Sequence, residues 1–427
     1  MSQSEAWRTA LFLQGANLMD NRVVVTGMGI VSPAGNTLEA AWGSWSKGAS
    51  NTCKLPGYDF AGAPAAAPLL DYSQLLTDKR PLSRPAAFAL SALTEALSQA
   101  KLLASSIDPF TSGVIVGSGL SMSNDAVMHE LLIKSSPEDI NLSEFEFFSC
   151  GYHPAACISS ALGIRKLCKS VSNACASGAY SVCLGYELVK NGDLSLAITG
   201  GADSVLNANG LSLFSVLEVM SKETDYVKAS KPFDKNRSGF VVGEGAGILI
   251  LEPLSRAQKR NAPIFAEILG YSTLTDTYHM TTPDPTGETV ENLIVKAVSN
   301  SGLPLSSIEY INANGTSTYC SDLAETCGIK RAFGKQAYDI PISSLKSMIG
   351  HLISAAGAVE LIATILSLNN SAILPTINYE HADPDCDLDY VPNIIRKRNI
   401  NHAISNSFGF GGQNVCVVLG GANKTHV

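Results

Sequence analysis

A cysteine set in Val171-Ser172-Asn173-Ala174-Cys175-Ala176-Ser177-Gly178-Ala179-Tyr180 has the type and setting best suited to covalent chemistry. A polar turn delivers it to the head of a segment rich in Ala, Ser and Gly, with apolar residues at helical spacing up to Lys190 and a stop at Asn191-Gly192. The pattern predicts a buried helix with Cys175 at its N-terminus. Unpaired N–H groups and the positive end of the helix dipole favour thiolate over thiol, so a lowered pKa and a nucleophilic sulfur are expected there. The small residues Ala176, Ser177, Gly178 and Ala179 would let a second helix or backbone come close. A single cysteine is more commonly a small buried hydrophobe, so the assignment depends on what the other segments supply.

A second reactive residue is presented in the same way. Lys346-Ser347-Met348-Ile349-Gly350-His351 leads into an Ala-rich helix predicted over 352–368, which puts His351 at a helix head as well. Strands are predicted over 23–30, 113–117, 194–200, 241–252, 264–271, 308–313, 402–407 and 414–420, and further helices over 37–47, 83–104, 154–162, 289–301 and 323–333. The alternation implies mixed α/β layers, and the repeated turn-helix-strand scheme is a weak internal duplication. If the two helices pair about a pseudo-twofold axis, Cys175 and His351 face each other across the core.

Composition narrows the function. With 427 residues, 45% hydrophobic and 16% charged, the chain can bury a large core as two domains or one duplicated unit. A net charge of -8 without a long Lys/Arg run argues against a nucleic-acid binder. Ten cysteines without CxxC pairs or Cys/His metal spacing point to reduced, cytoplasmic thiols and no metal centre. No apolar run reaches the length of about eighteen residues that a membrane span needs. Residues 1–20 read as an extension without a secretion signal. Gly27-Met28-Gly29 lacks the third glycine of a dinucleotide fingerprint, and Pro33 interrupts the helix that should follow. Ser204 has no small helical module around it and is no carrier-protein serine. Lys79, Arg80 and Arg84 cluster in an acidic protein, either as a solvated face or as a dock for an acidic partner.

Taken in order, the motifs resemble those of β-ketoacyl-acyl-carrier-protein synthases, the elongating condensing enzymes of fatty-acid and polyketide assembly, over residues 22–421. They are Val24-Val25-Thr26-Gly27-Met28-Gly29, Ala174-Cys175-Ala176-Ser177-Gly178, Pro232-Phe233-Asp234, Gly243-Glu244-Gly245-Ala246-Gly247, Asn314-Gly315-Thr316-Ser317-Thr318, Lys346-Ser347-Met348-Ile349-Gly350-His351-Leu352 and Asn406-Ser407-Phe408-Gly409-Phe410-Gly411-Gly412. The resemblance implies a thiolase-like α/β fold, two pseudo-repeated halves (21–255, with the nucleophile, and 256–427) in stacked α/β/α/β/α layers. It implies a homodimer, or a heterodimer with a related ketosynthase-like chain. It also implies no bound cofactor, with substrates delivered on the phosphopantetheine of an acyl carrier protein.

Carried over by position, Cys175 takes the acyl chain, and the N–H groups of Cys175 and Phe408 form an oxyanion hole. His351, held near Lys346, donates to the extender's thioester carbonyl. Thr316 and Thr318 meet the pantetheine arm, Phe408 gates the acyl tunnel, and the loop with His279 borders the entrance. Lys79, Arg80 and Arg84 would dock the carrier protein. One departure stands out, because Asn314-Gly315-Thr316 occupies the place of the family's usual His-Gly-Thr. Ser321-Asp322 also replaces a Gly-Asp pair, while Glu325 is kept. An amide can donate to an enolate oxygen but cannot carry charge or shuttle a proton. Three readings follow: a working ketosynthase with an altered triad, a non-elongating acyl-transfer or thioester-processing enzyme, and a non-catalytic chain-length partner.

Overall fold

The computed structural model describes residues 22–55, 65–67, 82–119 and 152–422. The extension over 1–20 lies outside these residues, as do Lys79 and Arg80. The β-branched run Val23–Val31 forms β1, buried along its whole length. Thr37 caps α1 (Leu38–Trp45) and Ser83 caps α2 (Arg84–Gln99), each by accepting a backbone N–H of the first turn. There follow β2 (Ser112–Gly117), α3 (His153–Leu162), β3 (Leu167–Val171), α4 (Ser177–Lys190) and β4 (Leu196–Asp203). The unanticipated helix α5 (Ala208–Val216) comes next, then β5 (Gly245–Pro253). The second half comprises β6 (Ala266–Thr275), α6 (Glu288–Asn300), β7 (Tyr310–Asn312), α7 (Tyr319–Phe333), β8 (Ile342–Ser343), α8 (Ala356–Asn370), β9 (His402–Gly409) and β10 (Gln413–Gly421).

Ten strands join in the order β8-β7-β9-β10-β6-β1-β5-β4-β2-β3. Numbered within its own half, each set of five runs third, second, fourth, fifth, first. Pairing directions repeat as well. β2 is parallel to β3 and β4, while β5 is antiparallel to β4 and β1. Likewise β7 is parallel to β8 and β9, while β10 is antiparallel to β9 and β6. The halves meet where Val23, Val24 and Val25 pair antiparallel with Ile268, Glu267 and Ala266. The internal repeat is thus a repeat of topology.

Helices α4 and α8 pack on each other, α4 against β4 and β2, α8 against β5 and β9. Outside them, α2 and α3 cover the first half, and α6, with α7 against it, covers the second. These are the five layers of a thiolase-like fold. The central pair is close because its contact residues are small. A Cβ on Gly178 would stand 2.7 Å from the Ser354 carbonyl oxygen, and one on Gly357 would stand 2.8 Å from the Ala179 Cβ. Gly178→Ala is therefore expected to destabilise the protein by about 1–3 kcal/mol through overpacking. Urea unfolding of the variant checks this, and an unchanged midpoint would contradict it.

Two expectations change. The helix predicted from 352 begins at Ala356, because Ile353, at φ +51, sits in a separate tight turn first. Ile353–Asn370 is also long and apolar enough to span a membrane by composition alone, with mean hydropathy 1.3 over 18 residues. That stretch is 83% buried within the fold, as the core helix between the sheets.

Candidate active site

Equivalent turns in the two halves deliver the two reactive residues: Cys175 lies between β3 and α4, and His351 between β8 and α8. The first turn is strained at Ala174 (φ +47) and tied by Ser177, whose hydroxyl accepts the Asn173 N–H (2.8 Å) and donates to the Ala174 carbonyl (2.5 Å). Gly409 presses on the same turn, since a Cβ there would lie 3.2 Å from the Cys175 nitrogen. Cys175 does stand at the helix head. Its thiol is nevertheless pushed up to about 12, chiefly by burial, with Lys346 acting against that and Asp203 adding to it. The expectation of a lowered pKa is thus corrected, because desolvation outweighs the helix end and the nearby ammonium.

His351 is pinned by its backbone, which donates to the Val241 carbonyl at 2.7 Å and accepts the Gly243 N–H at 2.9 Å. Its buried ring meets the Phe240 ring edge-on, centroids 5.4 Å apart. Burial and the Lys346 charge hold its pKa well below the usual histidine range, so the ring is neutral. Nδ1 is buried with no hydrogen-bond partner. We assign the proton to Nε2, since an unpaired acceptor costs less in the core than an unpaired donor.

Asn314 follows β7, in a loop fastened by carboxylates of α7. Glu325 accepts the N–H groups of Asn314 (3.0 Å) and Gly315 (2.9 Å) and the Asn406 amide (3.0 Å). Asp322 accepts those of Thr316 (2.9 Å), Ser317 (3.2 Å) and Phe233 (2.8 Å). Burial pushes Asp322 up to about 7, with the Arg237 guanidinium 3.5 Å away opposing it. The Lys346 ammonium pairs with Glu360 (2.5 Å) and donates to the Asn314 carbonyl (2.7 Å). The Asn314 side-chain oxygen accepts the Phe408 N–H at 3.2 Å and lies 3.5 Å from the same ammonium.

Cys175, Asn314 and His351 line one cavity of about 350 Å³, together with Thr316, Thr318, His279 and Phe408. The Thr316 and Thr318 hydroxyls are 2.9 Å apart. His279 is exposed, in a loop tied to the β9–β10 turn by the Gly411 N–H on the Met280 carbonyl (2.7 Å). Of the described site residues, all but Lys346 and Arg84 line this cavity, and Lys346 stands behind it on Asn314. Arg84 forms an ion pair with the buried Glu244, whose carboxylate also accepts the Ser204 hydroxyl at 2.6 Å. Its expected role in docking a carrier is corrected to an internal one. Arg84→Met should cost about 3 kcal/mol, because it removes the cation paired with a buried carboxylate; thermal unfolding measures this, and a loss under about 0.5 kcal/mol would contradict it.

The oxyanion assignment also moves. The Phe408 N–H is taken by Asn314, whereas the Phe410 N–H reaches the Cys175 sulfur and its ring packs in the apolar cluster around that residue. The sequence shows two phenylalanines one residue apart. Which N–H turns toward the cysteine is set by the hairpin turn at Gly411 (φ +75), a conformation without a local signal beyond the glycines. Asp203 and Phe240 were missed for the same reason, as both reach the site through tertiary packing.

A buried thiol at a helix head, a neutral imidazole and an amide around one cavity, on two sets of five strands with the same topology, define a thiolase-type acyl-transfer centre. Residues 20–257 match the family described as beta-ketoacyl synthase, N-terminal domain, and residues 265–380 match beta-ketoacyl synthase, C-terminal domain. The chain belongs to the β-ketoacyl synthase family and is an acyltransferase of the condensing type. It is 37% identical to a 3-oxoacyl-(acyl-carrier-protein) synthase 2 of Synechocystis over 95% of this chain and 99% of that one. A synthase of the same name from Staphylococcus aureus is 36% identical, over 94% and 98%. A chain from a type II polyketide acyl-carrier protein in complex with its ketosynthase, bound to the hexaketide, superposes with TM-score 0.88 at 31% identity, over 95% of this chain and 100% of that one. A chain of the ishigamide ketosynthase/chain length factor gives 0.87 at 30%, over 94% and 99%.

Proposed function

We propose that this chain accepts an acyl group from an acyl carrier protein on Cys175 and condenses it with a malonyl-type extender, with Asn314 standing where the family usually has a histidine. The Cys175 sulfur attacks the acyl-pantetheine carbonyl, the bond from that carbon to the pantetheine sulfur breaks, and the cysteine's proton leaves on the pantetheine thiol. N–H groups of Cys175 and Phe410 receive the developing oxyanion, each worth about 3 kcal/mol in the transition state. Loss of CO2 from the bound malonyl thioester then gives an enolate whose oxygen is held by Asn314 and His351. Its carbon attacks the acyl carbonyl, the bond to the Cys175 sulfur breaks, and a β-ketoacyl thioester remains on the carrier.

The observation that supports this reading is the anchoring of the Asn314 amide. Its oxygen faces the Phe408 N–H and the Lys346 ammonium, which leaves its NH2 as the face available to a substrate. An imidazole accepting the same N–H through Nδ1 would present Nε2–H, so the amide keeps a hydrogen-bond donor of the same sense. Asn314→Ala should slow malonyl-carrier decarboxylation about 100-fold and leave acyl loading within about twofold. Decarboxylation by the variant at the wild-type rate would show that the amide is no such donor. If wild type loads acyl groups but never releases CO2, the chain is a non-elongating acyltransferase. Partners follow from the same chemistry: an acyl carrier protein, and as second subunit a copy of this chain or a related ketosynthase-like chain. Cysteines free of disulfides among the described residues support a reducing, cytoplasmic setting.

A further inference from the structure

Asp203 ends β4, is 1% exposed, and is bonded directly to Ser354, just beyond His351, and through Ser354 to the turn before Cys175. Its Oδ1 accepts the Ser204 N–H at 2.9 Å and its Oδ2 the Ser354 N–H at 3.2 Å, with the Gly119 N–H and the Ser354 hydroxyl also bonded to it. Ser354 lies three residues beyond His351, next to Ile353 at φ +51, and its hydroxyl, whose one proton is shared between Asp203 and the carbonyl of Ala174, lies 3.3 Å from that carbonyl. Ala174 is the strained residue just before Cys175. One carboxyl thus braces the turn that carries the imidazole against the turn that carries the sulfur. The packing is tight: a Cβ on Gly119 would stand 2.6 Å from the Ser354 Oγ and 2.9 Å from the Asp203 Oδ2.

The charge of this carboxyl works against the nucleophile. Among the described residues, Lys346 and Asp203 are the charged groups that act on Cys175, Lys346 lowering the thiol and Asp203 raising it, while His351 beside them is neutral. A carboxylate that disfavours the thiolate contributes by geometry.

We infer that Asp203, acting through Ser354, is a positioning residue that sets the placement of Cys175 against His351; this rests on Cys175 being the nucleophile. Asp203→Asn keeps the size and removes the charge. Its condensation kcat is expected to fall at least about tenfold, with the KM for acyl carrier within about twofold, as a misplaced reacting pair requires. Alkylation of Cys175 by iodoacetamide should run faster than in wild type at pH 8, because a repelling charge is gone. The difference should vanish below about 6, where the wild-type carboxyl protonates. Ser354→Ala keeps the charge, so its kcat should fall while its alkylation profile matches wild type.

Wild-type condensation by either variant overturns the inference, as does an Asp203→Asn protein slower in both condensation and alkylation. If Asp203→Asn does not fold, Ser354→Ala decides alone. Alkylation followed by mass spectrometry reads Cys175 whether or not the chain condenses anything. A wild-type protein that takes no acyl group from a carrier would sink the assignment of the nucleophile, and leave the effect of Asp203 on the thiol measurable.

Discussion

Cys175→Ala protein mixed with an acyl-carrier thioester is expected to gain no acyl mass, while wild type gains one acyl group per chain. The substitution is small, removing one sulfur at a turn whose backbone is held by Ser177 and pressed by Gly409. The variant should therefore fold and lose chemistry. Without the sulfur no covalent intermediate forms, and condensation should drop by on the order of 10⁴ or more. The thiol's environment gives a second signature. A thiol at about 12 is almost entirely protonated near neutrality. Alkylation by iodoacetamide should accordingly rise about tenfold per pH unit between pH 7 and 9 without levelling. A plateau near pH 7 would mean that the helix end and Lys346 overcome burial.

His351→Ala should separate the two half-reactions. Acyl loading needs Cys175 and the N–H groups of Cys175 and Phe410, none of which involves the imidazole, so acyl mass should still appear. Decarboxylation and condensation should fall by about 10²–10⁴, the range for losing a positioned donor or acid. The imidazole is held neutral by burial and Lys346, with a pKa well below the usual histidine range. Its protonation therefore lies below the working range, and wild-type condensation should show no acid limb from this group between about pH 6 and 8. Loss of loading in His351→Ala would mean that the imidazole serves the first transfer as well. An imidazole NMR signal that titrates at about pH 6.5 and is absent from His351→Ala would mean that the site is wetter than its packing indicates.

Much of this arrangement could be read from residue order. The β-branched run at the start, the glycine-ended strands and the two turn-helix units with Cys175 and His351 were all visible, because each has a local period or stop signal. The small residues of the first helix also foretold the close contact that Gly178 and Gly357 make. The strand order was not legible, because pairings such as β1 with β5 and β6 join segments more than 200 residues apart. Properties set by three-dimensional surroundings failed in the same way. The thiol's pKa was expected to fall from a local cue, the helix head, but burial by distant segments controls it. Arg84 looked like a surface cation beside Lys79 and Arg80, and its partner Glu244 lies 160 residues away. Phe408 and Phe410 could not be told apart, since the hairpin that orients them is resolved only by its tertiary setting.

The most direct measurement is a single-turnover reaction of wild-type protein, loaded with an acyl group on Cys175, with carboxyl-labelled malonyl carrier. Labelled CO2 and β-ketoacyl carrier should appear together, at the rate at which acyl mass leaves Cys175. Acyl mass that stays on the protein, or leaves for another acceptor while the malonyl carrier keeps its label, would contradict a condensing role for Asn314 and His351.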